Sequence, residues 1–399
     1  MDPVSSYPIL PIILVALGTM WFMTKILKIR PSESRYASID GLRGYMAFFV
    51  FLHHSCIWYF YTHGYRWGRP PSWMYDQFGP SSVCVFFMIT SFLFFDKLLQ
   101  AQDGNIDWLK LYVSRLLRIT PLYFSVVLLV FLIVGILTKF RLRTSAGDLL
   151  WDMLKWLFFI QTNLNGVIPT PRIVASVVWS LSFEWLFYCT LPFLAVPLRI
   201  RTSLFILVLA LSGILFWSLL IKEFYPLGGV RQTWPFLSGI IAACLNRIPW
   251  IRKVAPHSIV SVCIIITLVL IVVLFPSIYD PIPLSMMTLI FTAIAGGNGV
   301  FGILAHSLSR MLGQISYSIY LLHGMLLYVT FSWILGFSHA SRLSSVGHWS
   351  IIALCAAGVV IISSLTYKLI ERPAMTSVPS FTERMRKIIA TEQIIKPYG

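Results

Sequence analysis

Long apolar runs, separated by short polar segments, follow one another along the whole chain. A bilayer core of about 30 Å needs roughly 20 apolar residues for each helical crossing, and eleven of these runs suit one. The pattern therefore predicts an all-α fold, a polytopic membrane helical bundle with about eleven transmembrane helices. The predicted transmembrane helices cover residues 8–27, 41–61, 79–98, 120–138, 176–197, 203–221, 232–246, 257–275, 281–304, 312–336 and 349–370.

Two parts of the pattern predict local features. Gly296, Gly297 and Gly299 fall inside the run 281–304, so we expect a break or kink there. Residues 149–160 are amphipathic but too short to span a bilayer. We therefore expect this segment to lie along the membrane interface.

The composition supports a membrane protein. Of the 399 residues, 57% are hydrophobic and 12% charged, whereas soluble proteins average roughly 25% charged residues. This difference excludes a soluble enzyme, a coiled coil and a disordered chain, and it leaves little length for a water-soluble domain. All six cysteines lie in apolar runs and none forms a C-x-x-C pair, so we expect neither a disulfide framework nor a metal site.

The basic residues predict an orientation. No Lys or Arg precedes the first run, whereas Lys25, Lys28 and Arg30 follow it, so we expect an anchor helix with its N-terminus outside rather than a cleaved signal peptide. Alternating crossings then place 21 of the 31 Lys and Arg residues on the cytoplasmic side, together with the C-terminus. The net charge of +16 is thus explained by membrane topology, and we expect no nucleic-acid partner. Of the ten basic residues on the outer side, Lys139, Arg141 and Arg143 are clustered, which makes them either an exception or a sign that one crossing is misassigned.

Three ionisable residues from separate runs are predicted to reach a similar depth. His54 follows Arg43 by eleven residues, which places it roughly 16 Å into the membrane. Glu184 and His323 come to about 20 Å from the cytoplasmic face by the same helical rise, and Glu184 is the one acid predicted to lie far from any span end. Such residues are costly in a membrane and indicate function. In the functional interpretation, the three residues form a chamber in which a histidine takes a proton from a hydroxyl. In the alternative interpretation, Glu184 is a carboxylate that only packs between helices, and both histidines are hydrogen-bonded core residues.

Arg115 and Arg118 stand three residues apart at the start of the run 120–138. They therefore share one helix face at the predicted cytoplasmic boundary. Two adjacent guanidinium groups suit a phosphate or pyrophosphate. Ordinary snorkelling of cytoplasmic arginines is the alternative.

Six sequence blocks in the same order resemble the membrane acyltransferase-3 family. Any one block is weakly specific, but six in order with a matching number of apolar runs are highly specific. The blocks are Ser38-Ile39-Asp40-Gly41-Leu42-Arg43-Gly44 followed by His54, Phe86-Phe87-Met88-Ile89, Arg115-x-x-Arg118, Trp179-Ser180-Leu181-Ser182-x-Glu184-x-x-Phe187-Tyr188, Ser316-Tyr317-Ser318-Ile319-Tyr320-Leu321-Leu322-His323 and Glu371-Arg372-Pro373.

The resemblance implies a membrane domain of ten helices over residues 35–375. An N-terminal anchor helix and cytoplasmic linker (1–34) would precede it, and a basic cytoplasmic tail (376–399) would follow. The chain is most similar in kind to bacterial O-antigen and exopolysaccharide O-acetyltransferases, which implies the bacterial inner membrane. Such proteins move an acyl group, commonly acetyl, from cytoplasmic acyl-CoA to a hydroxyl of a carbohydrate or lipid-linked glycan.

The resemblance also implies roles for the candidate residues. His54 would be the catalytic base, and Arg43 would support it from the same helix. Arg115 and Arg118 would hold the phosphates of acetyl-CoA. Both direct attack on the thioester and a covalent acyl-enzyme remain open.

Glu184 and His323 would lie in or beside the chamber. We expect Glu184, or a nearby hydroxyl, to orient the imidazole of His54. Buried His and Glu would equally serve a proton-coupled transporter or exporter as a relay, although the sequence shows little of the repeat symmetry common in transporters. A third alternative is a non-catalytic receptor with the chamber as a ligand pocket.

The chain departs from the family at one point. Thr90-Ser91-Phe92 stands where Ser-Gly-Phe is usual, so Ser91 replaces a glycine. A larger side chain there predicts a tighter channel wall, with an effect on donor size or acceptor access.

Overall fold

The computed structural model describes residues 2–31, 34–101, 106–224 and 229–395. Parts of the predicted linker and tail, at residues 1, 32–33 and 396–399, lie outside these described residues. Within the described ranges the chain is helical and contains no β-strand, so the predicted all-α class is confirmed.

The helices follow one another with short connections, and two π-helical turns (Val329–Ile334 and Tyr367–Glu371) extend helices of the second half. In chain order, the α-helices are α1 (Ile9–Leu27), α2 (Ala37–Thr62), α3 (Trp73–Gln100), α4 (Trp108–Leu137), α5 (Ala146–Leu157), α6 (Trp179–Ala195), α7 (Leu204–Phe224), α8 (Trp234–Leu245), α9 (Pro249–Val254), α10 (Ser258–Leu274), α11 (Pro281–Ala295), α12 (Ser307–Gln314), α13 (Ser316–Tyr328), α14 (Phe337–Ala340), α15 (Ser345–Thr366), α16 (Arg372–Thr376) and α17 (Val378–Ile395).

Six helical segments of the described chain are long and apolar enough to cross a membrane, and they contain α1, α3, α4, α7, α13 and α15. Each of the other five predicted runs also contains a helix, but α6, α8, α10 and α11 have only 12 to 17 residues. The remaining helix, α2, has 26 residues but a lower hydropathy, because His53 and His54 interrupt its apolar sequence. A polytopic helical membrane protein is thus supported, and the number of eleven crossings stays a prediction.

The predicted break is present, and the amphipathic segment is helical, while its place at the membrane interface stays a prediction. The helix α11 ends at Ala295, and Gly297 has a φ of +112°, a left-handed conformation that favours glycine. The amphipathic segment forms α5, and the hydroxyl of Ser145 caps it by accepting from the amide of Asp148 at 3.1 Å.

The helix α2 lies at the centre of the bundle and packs against α3, α12 and α13. The approach of α12 is so close that a Cβ at Gly313 would lie 1.8 Å from the backbone oxygen of Asp40. Only glycine fits there without moving the backbone. This contact fixes the first turns of α2, which carry Arg43.

The most buried acids are not the one predicted. Asp96 and Glu371 are 4% and 2% exposed, whereas Glu184 is only partly buried. Asp96 accepts from Arg247 at 3.1 Å, and Glu371 accepts from Ser318, so each is partnered as a buried carboxylate must be. Both acids stand at the ends of predicted runs, so they do not contradict the prediction for Glu184; they show that the protein interior continues past the ends of the apolar runs.

Candidate active site

A first cavity, of about 370 Å³, lies among α2, α3, α4, α6 and α13. We call it the arginine cavity. Its basic residues lie toward those ends of α2, α3 and α4 that the charge pattern places at the cytoplasmic face, and its other end reaches the middle of the helices at Val83. Its charged lining residues are Arg43, Lys97, Arg115, Arg118 and Glu184.

The two arginines predicted to bind phosphate line this cavity together. The guanidinium of Arg115 lies 5.0 Å from the ring centre of Phe94, and Arg118 Nη1 lies 3.6 Å from the sulfur of Met375. Within the described part of the chain, neither arginine forms an ion pair with a carboxylate. Four cations against one acid therefore leave this cavity strongly positive, which suits a polyphosphate.

The structure places Arg43 with these cations rather than beside His54. Its Nη1 lies 3.5 Å from Asp40, and it lines the arginine cavity. Eleven residues of helix separate it from His54, or roughly 16 Å along the axis. Arg43 therefore lies in the cationic cluster, and its support of the helix that carries His54 stays a prediction.

Glu184 is held by two hydroxyl groups. Tyr188 OH donates to Glu184 Oε1 from one turn further along α6, and Thr90 Oγ1 donates to the same oxygen at 3.3 Å. The helices α3 and α6 are thus joined across the cavity wall. The hydrogen bonds of Glu184 go to these hydroxyls, and the expectation that Glu184 or a nearby hydroxyl orients the imidazole of His54 stays a prediction.

Ser91 does not narrow the cavity. Its hydroxyl donates to the Phe87 carbonyl at 2.9 Å, its side chain is fully buried, and its oxygen lies where a Cβ of Gly239 on α8 would be. Adjacent helical residues point about 100° apart, so Thr90 lines the cavity and Ser91 faces α8. The prediction of a tighter channel wall at Ser91 is therefore wrong.

The two histidines predicted to share one depth are in contact. His54 comes from α2 and His323 from α13, both are buried, and His54 Nδ1 lies 3.0 Å from His323 Nε2. The position of His323 is fixed in turn because Ser318, one helical turn and a residue earlier, bonds to Glu371.

The hydrogen bonds of this pair assign its protons. His323 Nδ1 lies 3.0 Å from the Ile319 carbonyl, which can only accept, so this nitrogen carries a proton. The neutral ring then has a bare Nε2, which accepts from His54 Nδ1–H; the same proton is shared with the Val50 carbonyl at 3.0 Å. With its proton assigned to Nδ1, neutral His54 has an unprotonated Nε2, which can take a proton; the ring also lies within hydrogen-bonding reach of the Ala175 backbone.

A second cavity, of about 270 Å³, contains His54. We call it the histidine cavity. It is lined by residues of α2, α3, α6 and α13 and by residues of the connections that follow α2 or precede α6, α8 and α11. These connections place it toward the opposite end of the bundle from the cations. His53, Arg69 and Asp76 are among its polar lining residues.

The two cavities meet at the middle of the bundle. Val83 and Tyr320 line both of them. Tyr320 OH donates to the Val177 carbonyl at 2.9 Å and lies 2.7 Å from the hydroxyl of Ser180. Tyr320 thus stands between the cationic chamber and the chamber that holds His54.

Several lining residues were not singled out from the sequence. Tyr188 and Tyr320 lie inside blocks that resemble the family, but their tyrosine hydroxyls gave no separate signal. Lys97 and Asp76 fall near span ends, where charged residues are expected in any membrane protein. Only the packing of the helices shows that these four line cavities.

A comparison with protein families identifies the chain. A family model described as an acyltransferase domain matches residues 36–368, which is most of the sequence. The chain belongs to the acyltransferase-3 family. It is therefore a membrane acyltransferase, as the sequence blocks indicated, and the match begins within one residue of the predicted domain start.

Two bacterial proteins are similar to this acyltransferase-3 chain. Nodulation protein 10 of Rhizobium leguminosarum bv. viciae is 24% identical over 364 residues, which cover 79% of the chain and 89% of that protein. The putative peptidoglycan O-acetyltransferase YrhL of Bacillus subtilis (strain 168) is 23% identical over 384 residues, 87% of the chain but 56% of that protein. The chain thus spans little more than half the length of the Bacillus protein. No solved structure matches it.

Proposed function

We propose that the chain is an integral-membrane O-acetyltransferase that moves acetyl from cytoplasmic acetyl-CoA to a hydroxyl of a cell-surface carbohydrate, such as an O-antigen or exopolysaccharide. The observation that carries the proposal is the pair of cavities, one cationic and one containing the histidine pair, which meet at Tyr320. The name of the Bacillus relative, an O-acetyltransferase of peptidoglycan, supports both the acetyl group and a carbohydrate acceptor.

The donor binds in the arginine cavity. CoA carries a nucleotide with several phosphates. Among the described residues, Arg115 and Arg118 form no ion pair with a carboxylate, so their guanidinium groups can pair with phosphate oxygens. Arg43 and Lys97 add to the attraction. The orientation predicted from the Lys and Arg distribution places these cations on the cytoplasmic side, where acyl-CoA is found.

The acceptor enters from the histidine cavity. Its hydroxyl gives its proton to His54 Nε2 as the oxygen forms a bond to the thioester carbonyl carbon. The carbon–sulfur bond then breaks, and the proton held by His54 passes to the leaving thiolate. The products are an O-acetyl ester and CoA-SH, so no further reactant is needed.

The role of the remaining groups follows from their contacts. His323 holds the His54 ring with its bare Nε2 available, and Glu184 keeps Thr90 and Tyr188 at the wall of the donor chamber. Both relatives come from bacteria, in which an acceptor hydroxyl at the outer face and acetyl-CoA inside meet at the inner membrane.

The test is transfer of radiolabelled acetyl from acetyl-CoA in proteoliposomes, with and without glycans of a bacterial envelope. The wild type should release CoA-SH and label the glycan, and His54→Ala should lose at least about 100-fold in rate. Arg118→Ala should raise the KM for acetyl-CoA. With a donor that lacks the 3′-phosphate, the same substitution should raise the KM by a smaller factor. Arg201→Ala, an exposed arginine outside both cavities, is the matched control.

Two results would contradict the proposal. One is a wild-type protein that turns over no thioester but moves a solute when a pH gradient is imposed, which would support the transporter. The other is a folded His54→Ala protein with unchanged transfer, which would remove the assigned base.

A further inference from the structure

Asp76 in the histidine cavity carries an unmet hydrogen-bonding capacity. It lies in the first turn of α3, and its Oδ2 is 3.8 Å from Arg69 Nη1. Its Oδ1 is buried and has no hydrogen-bond partner among the described residues. A buried carboxylate oxygen without a donor is costly and is rare in folded proteins unless a site needs it.

The same cavity places this carboxylate in one chamber with the proposed base. His54 and Asp76 both line it, together with the indole of Trp179. The terminal torsion of an Asp side chain is broad and roughly two-fold, so either oxygen can be turned to a ligand. A hydroxyl group on an uncharged ligand can donate to such a carboxylate oxygen, and a hydrogen bond to an ionised acceptor is stronger than one between neutral groups.

The charges of the two cavities differ in a way that selects their occupants. The arginine cavity has four cations against one acid, whereas Asp76 in the histidine cavity is matched by Arg69, with side chains 16% and 75% exposed. Both side chains line the cavity, so its charge is balanced, and the buried member of the pair is the acid; an anionic ligand in the buried part of the cavity would therefore meet the carboxylate. An uncharged molecule with several hydroxyl groups and an apolar face for Trp179 fits both features.

We infer that the histidine cavity is the subsite for an uncharged sugar unit of the acceptor, and that Asp76 determines this specificity. One hydroxyl of the sugar is presented to His54, and a neighbouring hydroxyl donates to Asp76. A sugar that carries a carboxylate is disfavoured because its charge would face that of Asp76. The inference rests on the proposed acetyltransferase function and adds the class of acceptor.

The experiment uses the full chain in proteoliposomes with acetyl-CoA and two soluble oligosaccharide probes, one of neutral hexose and N-acetylhexosamine units and one of matched length that contains uronic acid. The wild type should acetylate the neutral probe in preference. Asp76→Asn should raise the KM for the neutral probe roughly tenfold or more while the KM for acetyl-CoA moves less than about twofold. The same substitution should also bring the ratio of the transfer rates on the neutral probe and the uronic acid probe closer to one.

The controls separate recognition from misfolding. Asp148→Asn changes an exposed acid in the first turn of another helix, α5, outside the cavity, and should leave both KM values unchanged. Asp76→Glu keeps the negative charge, so this variant should retain the preference for the neutral probe. It tests the role of the charge if the Asp76→Asn protein does not fold.

Each remaining result overturns a stated part. A wild type that turns over acetyl-CoA but labels only the uronic acid probe, or neither probe, overturns the neutral-sugar subsite and leaves the acetyl-CoA reaction standing. An Asp76→Asn protein with unchanged KM and preference overturns the role of Asp76. A wild type without thioester turnover overturns the proposed function, and this inference with it.

Discussion

The contact between His54 and His323 shows how much a single residue position can reveal before a structure is known. Counting residues from a span end placed both rings at a similar depth, and their 3.0 Å hydrogen bond confirms that they meet. The same count could not show which rings would touch, because depth fixes a position along the helix but not around the bundle. Glu184 was therefore expected beside His54, but it bonds to Tyr188 and Thr90.

The hydrogen bond from His54 to His323 predicts a positioning role for His323. His323→Ala removes the acceptor of His54 Nδ1–H, but the Val50 carbonyl still holds that proton. We therefore expect kcat to fall roughly 10- to 100-fold, less than the loss of the base itself, with little change in either KM. His323→Gln, whose amide oxygen can accept the same hydrogen bond, should recover much of the rate in the acetyl transfer assay.

A merely structural role for His323 would give another pattern. Both variants would then lose thermal stability in proportion to lost activity, and glutamine would not restore kcat. A rise in the KM for acetyl-CoA with unchanged kcat would instead assign His323 to the donor chamber.

At the scale of elements, the apolar runs predicted helices well and their faces poorly. Every predicted run contains a helix, because continuous apolar sequence in a membrane leaves few alternatives. The faces of each helix depend on neighbours that hydropathy does not encode when almost every residue is apolar. The replacement of a family glycine by Ser91 shows this, since the serine packs toward α8 and leaves the cavity wall to Thr90.

The packing of α3 on α8 predicts opposite results for two small changes. A methyl group at Gly239 would lie 2.0 Å from Ser91 Oγ and 2.2 Å from the Met88 carbonyl oxygen. We therefore expect Gly239→Ala to destabilise the protein by about 1–3 kcal/mol. Adding Ser91→Gly should restore only part of this loss, because the clash with the backbone of Met88 remains. Thermal unfolding in detergent measures both effects.

Ser91→Gly alone tests the direction of the Ser91 side chain. Rates with acetyl-CoA, propionyl-CoA and butyryl-CoA should keep the wild-type ratio, because Ser91 does not line the donor chamber. A shift toward longer acyl groups in this variant would mean that Ser91 does limit the channel.

At the scale of the whole molecule, the sequence predicted one chamber, whereas in the described part of the chain the candidate residues line two cavities. The charge pattern correctly grouped Arg115 and Arg118 near one end of the bundle, but the division at Tyr320 arises only when α3, α6 and α13 come together. Under the proposed function, two cavities that share only Val83 and Tyr320 among their lining residues let a donor and an acceptor approach from opposite ends of the bundle. Tyr320 has the larger side chain of the two, and we therefore predict that it keeps the membrane barrier between them.

The position of Tyr320 predicts that its ring seals the bundle. Tyr320→Ala removes the group between the two cavities, so proteoliposomes with this variant should lose an imposed pH gradient faster than those with the wild type. Tyr320→Phe keeps the ring and loses only the bonds to Ser180 and the Val177 carbonyl, so it should hold the gradient. Tyr317→Ala provides a control, since Tyr317 lines the arginine cavity alone. Equal leak rates for the wild type and Tyr320→Ala would show that the barrier lies elsewhere. If Tyr320→Phe also leaks faster than the wild type, the barrier depends on the hydrogen bonds of Tyr320 rather than on its ring.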